Sequence, residues 1–251
     1  GNFAHATGYA VYGQVVLPAL ANAAVFQGAS SYEDKWSMYS YIGRLNYDFR
    51  DKYYVSASFR NDASSRFGPD KRNGSFYSIG ASWRITQEEF MSNVGWVDNL
   101  KLRASYGTSG NDQVGLYYYT TNFSWWNYDG MAGNALFKPG NPDLSWESSA
   151  STTVGLDFSI LNSRVSGSFE WYNRETKDLL YEVPISLVSG YENVIKNSAT
   201  MNNSGIELSV NWRAVQNHNF TWDIGLNYTR NVNEITYLPT EEQINGTKLW
   251  R

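Results

Sequence analysis

Apolar and polar residues alternate with a period of two along at least eight segments of this chain, and in these segments one parity carries no charge except for Arg230 near the end of the last. In residues 37–49, SMYSYIGRLNYDF, the side chains of Tyr39, Tyr41, Leu45, Tyr47 and Phe49 share one parity. Ser40, Arg44, Asn46 and Asp48 share the other. Residues 53–62 repeat the rule, with Tyr53, Val55, Ala57 and Phe59 set against Ser56, Ser58, Arg60 and Asp62. It recurs over 75–85, 100–107, 151–160, 164–174, 205–213 and 220–231, where the polar parity holds Arg84, Lys101, Arg103, Asp157, Glu170, Glu207, Arg213 and Asp223. Successive side chains of a strand point to opposite faces, so each segment reads as a strand with two different surroundings. A series of such strands, apolar on one side and ionic on the other, predicts an antiparallel up-and-down transmembrane β-barrel segment of about eight strands.

The connections support this reading by their lengths. Linkers 50–52, 161–163 and 214–219 are short and alternate with the long linkers 63–74, 108–150 and 175–204, while 86–99 occupies a short position but is longer than a tight turn. Outer-membrane barrels have short periplasmic turns and longer outer loops, so the long set is expected outside. Thr86 and Glu89 form a capping-box pattern that predicts one helical turn in the longest of the periplasmic linkers. Aromatics fall at the ends of the rows: Phe49, Tyr53, Trp83, Phe158, Trp212 and Phe220 at the periplasmic end, and Tyr39, Tyr77, Tyr106, Trp171 and Tyr228 at the outer end. These are the girdle positions of a membrane barrel. Residues 1–36 read only as an outer loop or strand region, and 232–251 as an outer loop with an incomplete end.

Composition narrows the picture. Aromatics make up 16% of the chain, with 19 Tyr and 10 Trp, yet no uninterrupted apolar run is long enough for a membrane-spanning helix. The stretch 15–29 imitates a signal peptide through Ala21-Asn22-Ala23, but no Lys or Arg precedes it and its apolar core is short. A chain opening at Gly1 is expected to be processed or partial. There is no cysteine for a disulfide framework, and a net charge of -4 offers nucleic acid no basic footprint.

The residues that carry the alternation also carry a resemblance. YYVSASFRNDASSRFGPDKRNGSFYSIGASWRITQEEF (53–90), NLKLRASYGTSGN (99–111), NPDLSWE (141–147), GLDFSILNSRVSGSFEWYNRETKDLL (155–180) and MNNSGIELSVNW (201–212) resemble, in order and spacing, the SusC/RagA family of TonB-linked outer-membrane transporters. The resemblance implies a barrel of about 22 strands with an internal plug. It also implies energy supplied through a periplasmic TonB contact, a SusD-like surface lipoprotein as lid, and oligosaccharide or, in some members, peptide ligands. No plug, TonB box or signal sequence is recognisable, so the chain is expected to be an internal part of such a barrel, with TonB engaged through parts outside it.

Candidate chemistry is sparse, and neither cofactor, metal nor enzymatic activity is expected. His5 and His218 are too far apart in sequence for a local ligand motif, and His218 falls in a turn. Asp157, Glu170, Glu207 and Asp223 have the composition of paired glycosidase carboxylates. Interleaved with Arg44, Arg60, Arg84, Lys101, Arg103 and Arg213, they read better as a lumen-facing wall of ion pairs. The best binding signal is aromatic: Tyr117, Tyr118 and Tyr119, then Trp125, Trp126 and Tyr128, with Asn122, Asn127 and Asp129 between them. Rings stack on sugar C–H faces while amides bond hydroxyls, and the same residues would equally serve to fold the loop or contact a lid. Tyr181, Tyr191 and Asn193 are weaker candidates of this kind. Arg66, in SSRFG at 64–68, is expected to shape the barrel rim. Stretches 127–133 and 140–143 hold calcium-friendly residues without a calcium-loop spacing, so turn chemistry is the simpler reading. Two other architectures fit parts of the pattern: a stand-alone eight-stranded barrel, which requires closure between residues near 37 and 231, and a soluble carbohydrate-binding β-sandwich.

Overall fold

The computed structural model describes residues 2–9, 23–31, 34–128 and 131–239. They fall into two units, Gly1–Ser37 and Met38–Arg251. In the first, β1 (Asn2–Tyr9) and β2 (Ala23–Ser31) pair as an antiparallel hairpin, in a stretch whose alternation was too weak to assign.

The second unit begins with β3 (Met38–Phe49), β4 (Tyr53–Ser64), β5 (Asn73–Arg84) and β6 (Val97–Asn111). A separate hairpin follows, β7 (Asn122–Tyr128) with β8 (Met131–Lys138). The chain then returns through β9 (Glu147–Ile160), β10 (Val165–Pro184), β11 (Asn193–Gln216) and β12 (Thr221–Tyr237). Eight of these strands form one antiparallel sheet in which β9 pairs with β6, so the β7–β8 hairpin is an insertion at one end.

Register decides which side chains share a face. One ladder runs across all eight strands as Phe49, Tyr53, Trp83, Leu102, Leu156, Phe169, Leu208 and Tyr228, each opposite the next. A slip of one residue in any pair would drop a charged row into this face. The ladder starts at the last residue of β3 and ends well inside β12, the stagger expected of tilted barrel strands. The apolar face is open: Tyr41 is 70% exposed, Leu45 68% and Leu226 59%. A β-sandwich would have buried this face against a second sheet. Strands β3 and β12 form the two edges and do not pair with each other, so the closure that a stand-alone eight-stranded barrel requires is not present.

At the outer end the uncharged rows give way. On β10 the parity of Phe169 and Trp171 continues into Glu175 and Lys177, which pair at 3.0 Å, and on β12 Arg230 faces Ile206. The ladders themselves continue. Of the loop expected over 175–204, only 185–192 connects the strands, because β10 runs to Pro184 and β11 begins at Asn193. Likewise the expected 108–150 loop contains β7 and β8. Where both faces of a strand meet water, hydrogen bonding persists although alternation has stopped. A bulge between Thr176 and Leu179, with Asp178 at φ 57°, turns the outer part of the β10–β11 hairpin. Bulges re-aim side chains in this way, and here Leu180 and Ile195 come to pack against a small core of Phe67, Phe76, Val114, Leu144 and Trp146. Trp146 lies 5.5 Å from Phe67 and 5.6 Å from Phe76, ring to ring, and its indole N–H donates to the Arg72 carbonyl at 2.8 Å.

The opposite end is built from tight turns. Arg50 and Asp51 both have positive φ, as do Asn162 and Ser163, which matches the twist of the hairpins they close. The longer 85–96 connection contains two 3-10 turns, Ile85–Gln87 and Glu89–Met91, neither with a side-chain cap. The capping box expected of Thr86 and Glu89 therefore does not form. Glu88 organises the turn instead, since stronger donors surround it: its carboxylate accepts from the Tyr53 hydroxyl at 2.6 Å, the Trp83 indole at 3.0 Å and the Lys52 ammonium at 3.2 Å. The Tyr53 hydrogen bond, then that of Trp83, holds the Glu88 carboxyl below the usual carboxylate range.

Two outcomes follow. In the complete protein reconstituted in lipid, Leu208→Arg should lower unfolding stability by about 2–4 kcal/mol, the cost of a cation near mid-bilayer. Ser209→Arg, one residue on, should stay within about 0.5 kcal/mol of the parent in the same urea titration. Because the Glu88 carboxyl is depressed, its hold on the turn is complete above the ordinary carboxylate range and is lost as pH falls through its folded value. The Trp83 indole N–H resonance should shift across that window, and in Glu88→Gln it should stay still.

Candidate functional site

The sheet's polar face is laced by ion pairs within strands, between strands and to a turn. Arg60 pairs with Asp62 at 2.6 Å and reaches Ser40 at 3.3 Å. Arg84 pairs with Asp51 at 2.7 Å and Arg213 with Asp223 at 3.0 Å. Lys101 lies 5.3 Å over the Tyr54 ring, and Arg44 stands opposite Ser58. The centre of the wall is Arg103, which holds Asp157 at 3.3 Å on β9 and Glu170 at 2.7 Å on β10.

Arg103 reaches two strands because of a glycine. The ladder row reads Arg103, Gly155, Glu170, so the guanidinium must cross β9 to meet Glu170. A Cβ on Gly155 would sit 2.6 Å from Arg103 Cζ. The missing side chain is the passage for the arginine, a use of strand glycine that alternation does not reveal. The device recurs one hairpin on. Tyr172 crosses Gly205 to bond Asn231 at 3.1 Å, and a Cβ on Gly205 would lie 2.6 Å from the tyrosine hydroxyl. Glu207 faces Glu170 across the β10–β11 ladder and lines a recess of about 450 Å³ with Arg174, Tyr172, Asn203 and Asn231. With Glu170 committed to Arg103, the two carboxylates are in different electrostatic settings.

At the outer end the aromatic candidates separate into two groups. Tyr118 packs against the small core, and its hydroxyl accepts from Lys138 Nζ at 2.6 Å while that ammonium lies 4.3 Å from the ring centre. The carbonyl of Tyr117, a residue at φ 65°, accepts from the Thr120 amide at 3.1 Å and Asn122 Nδ2 at 3.2 Å. Tyr119 lies beside Gly68. Trp125, Trp126 and Tyr128 belong to β7, where Trp125 takes one parity and Trp126 and Tyr128 the other; their side chains lie outside the described residues, as does Asp129. Tyr118 instead meets the weaker candidates: with Phe137, Lys138, Tyr191 and Asn193 it lines a cavity of about 350 Å³ at the root of the β7–β8 hairpin and beside the β10–β11 hairpin.

The rim is clasped by side chains that sequence reasoning largely missed. Arg66 Nη1 donates to the Val114 carbonyl at 2.9 Å, and Ser64 Oγ to Asp112 at 2.7 Å. Asn197 Oδ1 accepts from the Ser145 amide, and its Nδ2 donates to the carbonyls of Ser145 and Asp178, all within 2.9 Å. SSRFG and NPDLSWE, separate in sequence, meet through Phe67 and Trp146 in the small core. Among the described residues no cluster of metal-ligating side chains occurs.

One uncharged ladder across eight tilted strands, backed by an ionic face and crowned by long outer hairpins, defines the wall of an outer-membrane type of β-barrel. A model of the TonB-dependent receptor-like β-barrel family matches residues 2–250. The TonB-dependent receptor SusC of Bacteroides thetaiotaomicron is 35% identical over 218 residues, covering 83% of this chain and 22% of that protein. A TonB-dependent receptor of Formosa agariphila is 37% identical over 207 residues, covering 81% and 20%. Among solved structures, the RagAB peptide importer in its open-open state is similar with a TM-score of 0.80 and 33% identity, covering 87% of this chain and 24% of that one. The chain belongs to the TonB-dependent receptor β-barrel family, in its SusC/RagA branch. It spans about a fifth to a quarter of the length of these relatives.

The glycine passage makes a direct prediction. A double-mutant cycle on Arg103→Ala and Glu170→Ala should give a coupling of about 0.5–1 kcal/mol in urea unfolding of the complete protein. In a Gly155→Val background the same cycle should give a coupling near zero.

Proposed function

We propose that this chain supplies barrel wall and extracellular hairpins to a TonB-dependent outer-membrane importer of oligosaccharides or peptides. The observation that carries the reading is the single ladder from Phe49 to Tyr228, apolar on every strand, on a sheet whose two edges are open to further strands. Backbone groups at such edges need partners in hydrocarbon, and further strands would provide them. The wall named above, from Arg44 to Asp223, then faces an aqueous lumen.

Capture of the ligand falls to the outer hairpins. Tyr118, held by Lys138, together with Tyr191 and Asn193, offers ring faces and an amide in one cavity, a composition that suits a sugar ring or a peptide backbone. The likeness to a peptide importer favours peptides as one ligand class, and the likeness to SusC keeps oligosaccharides beside it. A SusD-like surface lipoprotein would close over these hairpins, and TonB would act through other parts of the complete protein. The chain's own role is passage and recognition, without bond-breaking chemistry.

The test is ligand binding by the complete protein, purified with whatever lipoprotein accompanies it, against a panel of oligosaccharides and peptides. Tyr118→Ala or Tyr191→Ala should weaken binding of the preferred ligand by about 3- to 10-fold, the loss of one ring contact. Binding unchanged in both variants would remove the cavity from the recognition site. Cells lacking the gene that take up the whole panel at parental rates would refute the importer.

A further inference from the structure

We propose that the turn segment 85–96 is a foot in the membrane interface, folded against the lipid side of the sheet so that Phe90 and Trp96 seat among phospholipid headgroups. The direction of the fold is given by Glu88. Its carboxylate bonds Tyr53 and Trp83, which belong to the uncharged ladder, so the segment bends toward the lipid-facing side instead of under the ionic face. The Arg84 amide, donating to the Lys52 carbonyl at 2.7 Å, ties the start of the segment to the neighbouring turn.

The depth follows from the same cluster. A carboxylate with its lysine does not rest in hydrocarbon, whereas Tyr, Trp and Lys together are the residues of a bilayer interface. Glu88, Lys52, Tyr53 and Trp83 therefore mark the headgroup level at the short-turn end. Phe90 is 64% exposed and Trp96 58% exposed in this same segment. Leu161, also exposed, is joined to it by its amide, which donates to the Trp96 carbonyl at 2.8 Å. In bulk water these side chains would be stranded, and at the interface they continue the girdle. Residues 85–96 contain neither Lys nor Arg, and the acids facing this surface are Glu88, paired with Lys52, Glu89, and Asp98, which accepts from the Ser163 amide at 2.8 Å. The segment thus has no cation of its own to draw anionic lipid, the neighbouring cations being Lys52, paired with Glu88, and Arg50, over the Phe49 ring, and seating is driven by apolar contact and the indole.

The experiment uses the complete protein in phosphatidylcholine vesicles with a nitroxide label on a cysteine at Phe90→Cys, and separately at Gln87→Cys and Trp212→Cys. Collision with oxygen relative to a water-soluble nickel chelate should be several-fold higher at Phe90 than at Gln87, should approach the value at the Trp212 girdle position, and should not change between low and high salt. Glu88→Ala should lower the Phe90 ratio toward that of Gln87. A Phe90 label as accessible to the nickel chelate as that at Gln87 would overturn the proposal by placing the segment in water. A label shielded from both reagents would overturn it by showing protein, not lipid, against this surface.

Discussion

A polypeptide in hydrocarbon has no water with which to satisfy its backbone, so every N–H and C=O must find a partner within the sheet, and every ionised side chain must leave one face of it. The eight-strand ladder from Phe49 to Tyr228 meets both demands at once. Once register is fixed by the pairing, the ionic side chains have one surface left, and many of them pair with one another there. The tight turns, the staggered start of each strand and the aromatic ends of the rows all follow from keeping that ladder in alignment through the tilt.

The outer part of the molecule obeys different physics. Past Trp171 and Ile206 both faces of the strands meet water, and what holds the hairpins is a small core on the side of the sheet that is polar lower down. Phe76 sits on the ionic parity of β5, and it is buried because Trp146 and Phe67 fold over it from two loops. The bulge after Thr176 supplies the change of direction that lets Leu180 join them.

This division explains what was legible in the sequence. Inside the membrane band two solvents imprint a period of two, so β3 to β6 and the lower halves of β9 to β12 could be read from residue type alone. Beyond the band the imprint stops while hydrogen bonding continues, which is why 193–204, rich in Asn and Ser, resembled a loop and forms the first half of β11. The hairpin β7–β8 was hidden for the same reason. The ion pairs were foreshadowed by composition, but Gly155 was not, because its importance arises only when Arg103 and Glu170 are placed two strands apart in one row. Tyr118 was visible as an aromatic, yet its company with Tyr191 depends on contacts between hairpins far apart in sequence. Glu88 was overlooked beside Glu89, whose spacing from Thr86 imitated a cap.

The arginine that crosses Gly155 has a consequence for the charge of the polar face. Its guanidinium is held between two carboxylates on adjacent strands, so the cation is offset where it lies and the trio carries one net negative charge. That offset depends on a single carbon atom left out of the wall at Gly155.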